Sequence, residues 1–381
     1  MKPQKILLLL LVAAAQAQAA SVLTTNSDGT GGGSWAASAS WSSGVPVNNS
    51  LTNSQVNILA GDTINAGSDA SYTGPLVGLN VYGTLNVNTG ASLTAGVINN
   101  ASTTSGGIIN VAGGSLTANG VGTTSTGTLS INVTAGTFST SAMAFNSYPS
   151  LTFSQSGGTT FITHTATIGP KITLTGGSFI FNSGDTGNVA FNNNLTWNGG
   201  TIVSNTNAMG NTSLFTAMAT NAANVLAIST GLTTAQTLSL TSTATTANQG
   251  TLSFAVYSTT SNDKIAITGT TLTLGSGVHV AVNGLSLAGV YTDYLNTAFT
   301  LFSAPTYTTL NATVDSEVWT IGGVQYTAAF TNDLNVNGTV IVSSLTAVAV
   351  PEPSLSLLLL FGAGGLLLAR RLANRRLCVR V

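Results

Sequence analysis

The sequence predicts an all-β chain: a right-handed parallel β-helix, or solenoid, set between an N-terminal signal peptide and a C-terminal transmembrane helix. Three observations predict it. A short phrase of alternating apolar and polar residues ending in glycine returns about every twenty residues through the middle of the chain. Charge is nearly missing between the two ends: charged residues make up 5% of the 381 positions, against about 25% in ordinary domains. Each end carries an apolar run beside cations, in the order used by export and membrane-stop signals.

At the N-terminus, Lys2 and Lys5 precede an apolar stretch from Ile6 to Ala15, too short to cross a bilayer. Ala17-Gln18-Ala19 supplies the small-x-small cleavage pattern, so residues 1–19 are expected to be a signal peptide cut near Ala17 and Ala19. Residues 20–80 are expected to form an N-terminal cap and the first strands. Trp35 and Trp41 are expected to cover the open end of the core, as capping coils of stacked repeats do.

Residues 81–250 are expected to hold the repeats. The phrase appears as LNVNTGASL from Leu85, INVAGGSL from Ile109, INVTAGTF from Ile131, ITLTGGSF from Ile172 and LTWNGGTI from Leu195, with a looser FSQSGGTTF from Phe153. Its aligned glycines are Gly90, Gly114, Gly136, Gly158, Gly177 and Gly200, at separations of 24, 22, 22, 19 and 23 residues. Two-residue alternation makes strands, with Leu85 and Val87 on one face and Asn86 and Asn88 on the other. Glycine permits the sharp turn that follows. A fixed period of this length reads as stacked coils whose Ile, Val, Leu and Phe point inward and whose Thr and Asn form ladders outside. Periodicity alone also admits a set of antiparallel sandwiches. Disorder fits poorly, because 43% of the residues are hydrophobic and fall at strand spacing. Residues 204–250 lose the pattern and read as irregular coils or a flexible excursion.

Residues 251–345 regain strand character in TLSFAVY and in NDKIAITGTTLTLGSGVHVAVNG, and Ser343 to Val350 is expected to be a tether. Residues 346–381 end the chain. There Leu355 to Ala369 is apolar apart from Ser356 and covers about 23 Å as a helix, extendable if Arg370 and Arg371 snorkel. Five arginines follow, at 370, 371, 375, 376 and 380, placing that end in the cytoplasm and the body across the membrane.

Val350-Pro351-Glu352-Pro353, then an apolar helix, then the arginines, resembles the PEP-CTERM sorting signal of Gram-negative bacteria. The resemblance implies an exosortase as partner, a membrane-embedded cysteine protease-like transpeptidase. Pro351, Glu352 and Pro353 would be its recognition residues, and Arg370, Arg371, Arg375 and Arg376 the stop and orientation signal. It also implies delivery to the cell surface or extracellular matrix, with links to exopolysaccharide and biofilm. The two prolines keep the segment extended, as a strand-binding protease needs. The opening Trp35, Trp41 and Gly44-Val45-Pro46 resemble the segment before autotransporter-associated β-strand repeats. Asn262-Asp263-Lys264-Ile265 and Ala288-Gly289-Val290-Tyr291 resemble the C-terminal stretch of the same large surface proteins.

Composition argues against several chemistries. From Ile6 to Ala369 the only cations are Lys171 and Lys264 against ten acids, a formal −8; phosphate backbones need clustered Lys and Arg, so no nucleic-acid partner is expected. The one cysteine, Cys378, lies beyond the apolar run, leaving no internal disulfide and no thiol nucleophile in the body. His164 and His279 stand in separate repeats, and no metal motif is present. No cofactor and no catalysis are expected. A polysaccharide lyase or hydrolase on a β-helix would need paired acids; the nearest candidates are Asp62 with Asp69, the isolated Asp185, and Asp315 with Glu317 on one strand face. A glycan-binding module would need exposed rings, with Trp197, Phe179 and Phe181 as candidates, although inward positions make them core residues first. Thr173 to Thr175 permits an ice-binding face that nothing else in the sequence favours.

Overall fold

The computed structural model describes residues 21–43, 45–46, 52–68, 76–102, 104–123, 127–142, 151–164, 171–181, 195–204, 212–229, 233–240, 245–267, 271–303 and 309–349. The expected signal peptide with Ala17 and Ala19 lies outside these residues. So do Pro351, Glu352 and Pro353, the apolar run 355–369, and Arg370, Arg371, Arg375 and Arg376. Among the described residues no helix is long and apolar enough to cross a membrane.

The body is an all-β solenoid of about seven turns in which parallel strands stack coil upon coil. The aligned phrases of the sequence fall into register. Ile64, Leu85, Ile109, Ile131, Phe153, Ile172 and Leu195 are successive Cα partners along one ladder. Leu93, Leu116, Phe138, Thr160, Phe179, Ile202, Leu226, Leu252, Val280 and Val314 form a second. Val56, Leu79, Ile98 and Val121 form a third, along the early coils. Nearly all of these side chains are buried, each apolar one contributing about 1.5–3 kcal/mol by leaving water. A translational stack gives most inward side chains an apolar neighbour above and below. Rings also meet across the core between ladders: Phe153 of the first touches Phe138 and Phe179 of the second, with centroids 6.0 and 5.5 Å apart, where Thr160 interrupts the second column.

Outward amides make a second, polar stack. Asn86 Nδ2 donates to Asn65 Oδ1 at 2.8 Å, Asn110 to Asn86 at 2.9 Å and Asn132 to Asn110 at 2.9 Å. A parallel run joins Asn26, Asn57 and Asn80 at 2.7 and 2.6 Å. Neutral amides satisfy the surface where charge is missing.

The glycines line one edge. Gly136, Gly158, Gly177 and Gly200 have φ of +77°, +63°, +73° and +83°, and each packs on backbone of the coil before it. Gly114 sits on the same edge, but in its coil the positive φ falls on Gly113, at +111°. Four residues separate Val87 from Ser92 and only three separate Val111 from Ser115, so Asn88 faces both Ala112 and Gly113 and the turn shifts by one residue.

Stacking continues past both ends of the 81–250 span that carries the sequence pattern. It begins with Ser21–Asn26 pairing Thr52–Ile58 and runs to Leu272–Asn283 pairing Thr313–Val314. Trp35 and Trp41 are buried in the first coil, with rings edge to face at 5.2 Å. The stretch 204–250 holds regular structure: a helix Thr212–Met218 and strands Asn224–Ala227 and Thr237–Leu240. Leu214, Phe215 and Met218 are its buried side chains, a helical spacing that strand alternation does not detect. Asn224 Nδ2 bonds Trp197 O at 2.8 Å, holding this coil against the last strand of the first ladder.

An antiparallel sheet of Ala298–Thr300, Thr339–Ala347, Val324–Asp333 and Glu317–Ile321 follows. Buried Trp319 roots it, donating from Nε1 to Val282 O at 2.6 Å among Tyr294, Phe299 and Phe330. Much of the expected tether is strand: Ser344 to Ala347 pair with Ala329 to Tyr326, and Val348 N donates to Gln325 O at 2.9 Å. Val340 and Val342 alternate inward, and past a bulge at Ser343 the strand continues through Leu345.

Candidate functional site

The outward side of the second ladder changes character along the axis. Thr159, Ser178, Thr201, Val225, Thr251, His279 and Thr313 form one outward row. Beside it Ile180, Val203 and Ala227, with Phe161 against them, form an apolar cluster separate from the core. A groove of about 520 Å³ lies over this region. Val203 and Ala227 contribute apolar floor, and Ser178, Thr201, Ser253 and Tyr257 contribute hydroxyls. Asn283, also in the lining, donates from Nδ2 to Ser253 Oγ at 2.8 Å. Among the described residues no lysine, arginine or histidine lines it. Such a surface can hydrogen-bond and pack a neutral ligand but offers nothing to neutralise an anion.

Behind one end of the groove lies Asp263, fully buried. Its Oδ1 accepts Gln236 N–H at 2.8 Å, and its Oδ2 accepts Ala255 N–H at 3.0 Å and the Ser229 hydroxyl at 2.6 Å. Ser229 Oγ also touches the Tyr257 hydroxyl. Burial pushes the Asp263 carboxyl up, against the pull of its hydrogen bonds. Burial first, then the Asp263 charge, raises Tyr257. With every oxygen engaged, Asp263 acts as a clamp that ties three segments together. The neighbouring Asn262 Nδ2 bonds Thr300 O at 2.8 Å, so the Asn-Asp pair of the sequence motif fastens strand Lys264–Ile267 on both sides.

Among the described residues the other acids do not converge on that groove. Asp62 is buried in the first coils, accepting Gly29 and Gly31 N–H at 3.0 Å each; Asp69 and Asp185 lie outside the described residues. Asp315 lies against His279, whose Nδ1 is 2.9 and 3.1 Å from its two oxygens on an exposed face. Glu317 opens the next strand, its carboxyl raised by burial and then by Asp315. His279 and Asp315 are 36 residues apart, so only coil stacking joins them and no local motif announces the pair. The His164 side chain lies outside the description. Among the described residues no three His, Cys, Asp or Glu side chains gather into a metal-binding group.

Trp197, Phe179 and Phe181 are all buried. Trp197 turns its Nε1 to Gly200 O at 3.2 Å, and Phe179 and Phe181 lie 5.1 Å apart inside. These rings serve the core and present no face to a sugar. No protein-family model, curated protein or solved structure matches the chain.

Proposed function

We propose that the chain is an exported bacterial surface or extracellular-matrix protein with a structural or adhesive role and no catalysis. Its signal peptide, residues 1–19, is removed. Its apolar segment 355–369 holds it in the inner membrane, and an exosortase then processes it at Pro351-Glu352-Pro353. The observation that carries this reading is the order of parts at the C-terminus: Pro-Glu-Pro, apolar run, arginines. A charge-poor solenoid with ladders of neutral amides supports it, since such a scaffold is extended and needs neither disulfide nor metal. Its coil is right-handed, as parallel crossover connections are. Exopolysaccharide is its expected surrounding.

The test is fractionation of the native host carrying the chain with and without Pro351-Glu352-Pro353. Deletion should move the protein from matrix to inner membrane; an unchanged distribution would refute sorting. A second reading, a glycan-binding surface, draws support from the uncharged groove alone, since the candidate rings are buried. Replacing Ser253 and Asn283 by alanine should then release the protein from the host's own polysaccharide in a pull-down, whereas a purely structural role predicts no change.

A further inference from the structure

One end of the C-terminal sheet carries an apolar rim. The loop Gly289–Tyr291 lies beside the turn at Gly322: Gly322 N donates to Leu287 O at 2.9 Å, and a Cβ on Gly322 would meet Gly289 O at 2.8 Å. Tyr291 stacks on Tyr326 with centroids 5.4 Å apart. Val348 joins them through its bond to Gln325. Val290, Tyr291, Val324 and Val348 are 58%, 42%, 48% and 37% exposed, although a folded body usually keeps clustered apolar side chains covered.

The rim is where the described chain leaves the body. Seven peptide units separate Val348 from Leu355, so whatever their conformation the two lie at most about 25 Å apart. If the run 355–369 enters a bilayer, part of that reach is spent crossing a headgroup layer of about 6 Å. At most about 19 Å then remains, so the tether keeps the rim within reach of the lipid surface, and it is the rim's apolar side chains that favour contact over standing clear.

We propose that this rim rests on the lipid surface of the membrane that the chain's own apolar segment enters, holding the solenoid's C-terminal end on the bilayer before processing. The inference depends on the anchoring reading given above. Tyrosines with apolar neighbours favour the headgroup boundary. Among the described rim segments, 287–291, 322–326 and Val348, there is no lysine or arginine, and the acid of the loop, Asp293, accepts Val290 N–H at 3.0 Å. Contact is therefore apolar and weak alone, and the tether makes it effective by raising local concentration into the millimolar range.

The test uses the full chain with Cys378→Ser, reconstituted in vesicles of phosphatidylethanolamine and phosphatidylglycerol. A polarity-sensitive fluorophore is attached at Val324→Cys, at Val348→Cys, or at Ala39→Cys in the distant first coil. Both rim probes should shift to the blue and be quenched several-fold by spin-labelled lipid, with no loss in high salt, while the first-coil probe stays aqueous. Aqueous emission at both rim positions in protein that resists alkaline extraction would overturn lipid contact and leave the anchor standing. So would shielding from water without lipid quenching, which would mean a second copy on the rim. Release of the whole chain by alkaline extraction would instead refute the anchor, and the docking with it.

Discussion

The coils between Leu85 and Ile202 and those between Asn224 and Thr313 share one ladder but are held by different means. In the first region Cα partners recur after about two dozen residues or fewer, glycine turns sit on glycine turns, and Asn amides bond like to like. In the second the spacing stretches from Thr251 to His279 and again from His279 to Thr313. There the turns are fastened by unlike pairs: Asp263 with Gln236, Ala255 and Ser229, Asn262 with Thr300, and Trp319 with Val282. Repetition lets each coil use its neighbour as template, whereas the later coils need specific contacts because their turns no longer match. A stack of the first kind fails wherever its common edge is blocked; one of the second kind fails at named contacts and close to them.

The largest break expected is Gly177→Val. A Cβ there would lie 2.6 Å from both atoms of the Gly157 carbonyl, at φ +73°. The left-handed backbone costs a branched residue about 1–2 kcal/mol or more, and the overlap forces two coils apart. A loss of at least about 4 kcal/mol is expected in denaturant unfolding. Gly29→Ala separates the two causes, because Gly29 has φ +76° but no atom within 4 Å of an added Cβ; it should cost only about 1 kcal/mol. Equal effects at the two sites would mean that close stacking is not what the glycine edge provides.

Trp319→Ala comes next, at about 3–5 kcal/mol, and its location matters more than its size. Amide exchange should accelerate first in residues 279–347 while the coils from Leu85 to Ile202 keep their protection. Uniform loss of protection would show that the two regions unfold as one unit.

That contrast also explains how much the sequence disclosed. The regular coils were legible because inward columns and glycine turns repeat: Leu85, Ile109, Ile131, Phe153, Ile172 and Leu195 were aligned by pattern alone, and they stack. Before residue 81 the cap and first strands are expected from the sequence, but the stacking beyond 250 carries no repeat signal, because those coils have unequal lengths and so no fixed period. The helix Thr212–Met218 was hidden by a single helical turn of apolar residues, Leu214, Phe215 and Met218. The groove, the Asp263 clamp and the His279–Asp315 pair arise only when distant coils come together, so their residue types carry no local signal. Burial of Trp197, Phe179 and Phe181 followed from their inward register, which the alternation did give.

Asp263 offers a pH test of the second region. Its carboxyl is raised in the folded protein, so the folded state holds a proton that the unfolded state releases above about 3.9. Stability contributed by that proton is present at low pH. It falls as pH rises from the ordinary aspartate value through the raised one. Asp263→Asn should make this fall shallower and not flat, because Glu317 is raised in the same direction. At neutral pH the variant also turns one acceptor into a donor facing a buried N–H, costing about 1–3 kcal/mol. An unchanged pH slope would show that Asp263 is not the group that titrates.

The smallest effect expected is the most telling about the first region. Asn110 both donates to Asn86 and accepts from Asn132, yet its row continues as Ser154, Thr173 and Thr196, without an amide ladder, while the coils keep their register. Water can replace partly exposed amide bonds, so Asn110→Ala should cost about 1 kcal/mol or less. Asn110→Thr, which regains strand propensity, should be nearly neutral. If instead Asn110→Thr costs more than about 2 kcal/mol in denaturant unfolding, or shifts the exchange pattern of residues 85–138, the amides would be setting the register. The inward columns would then follow the amides' alignment and could not be its cause.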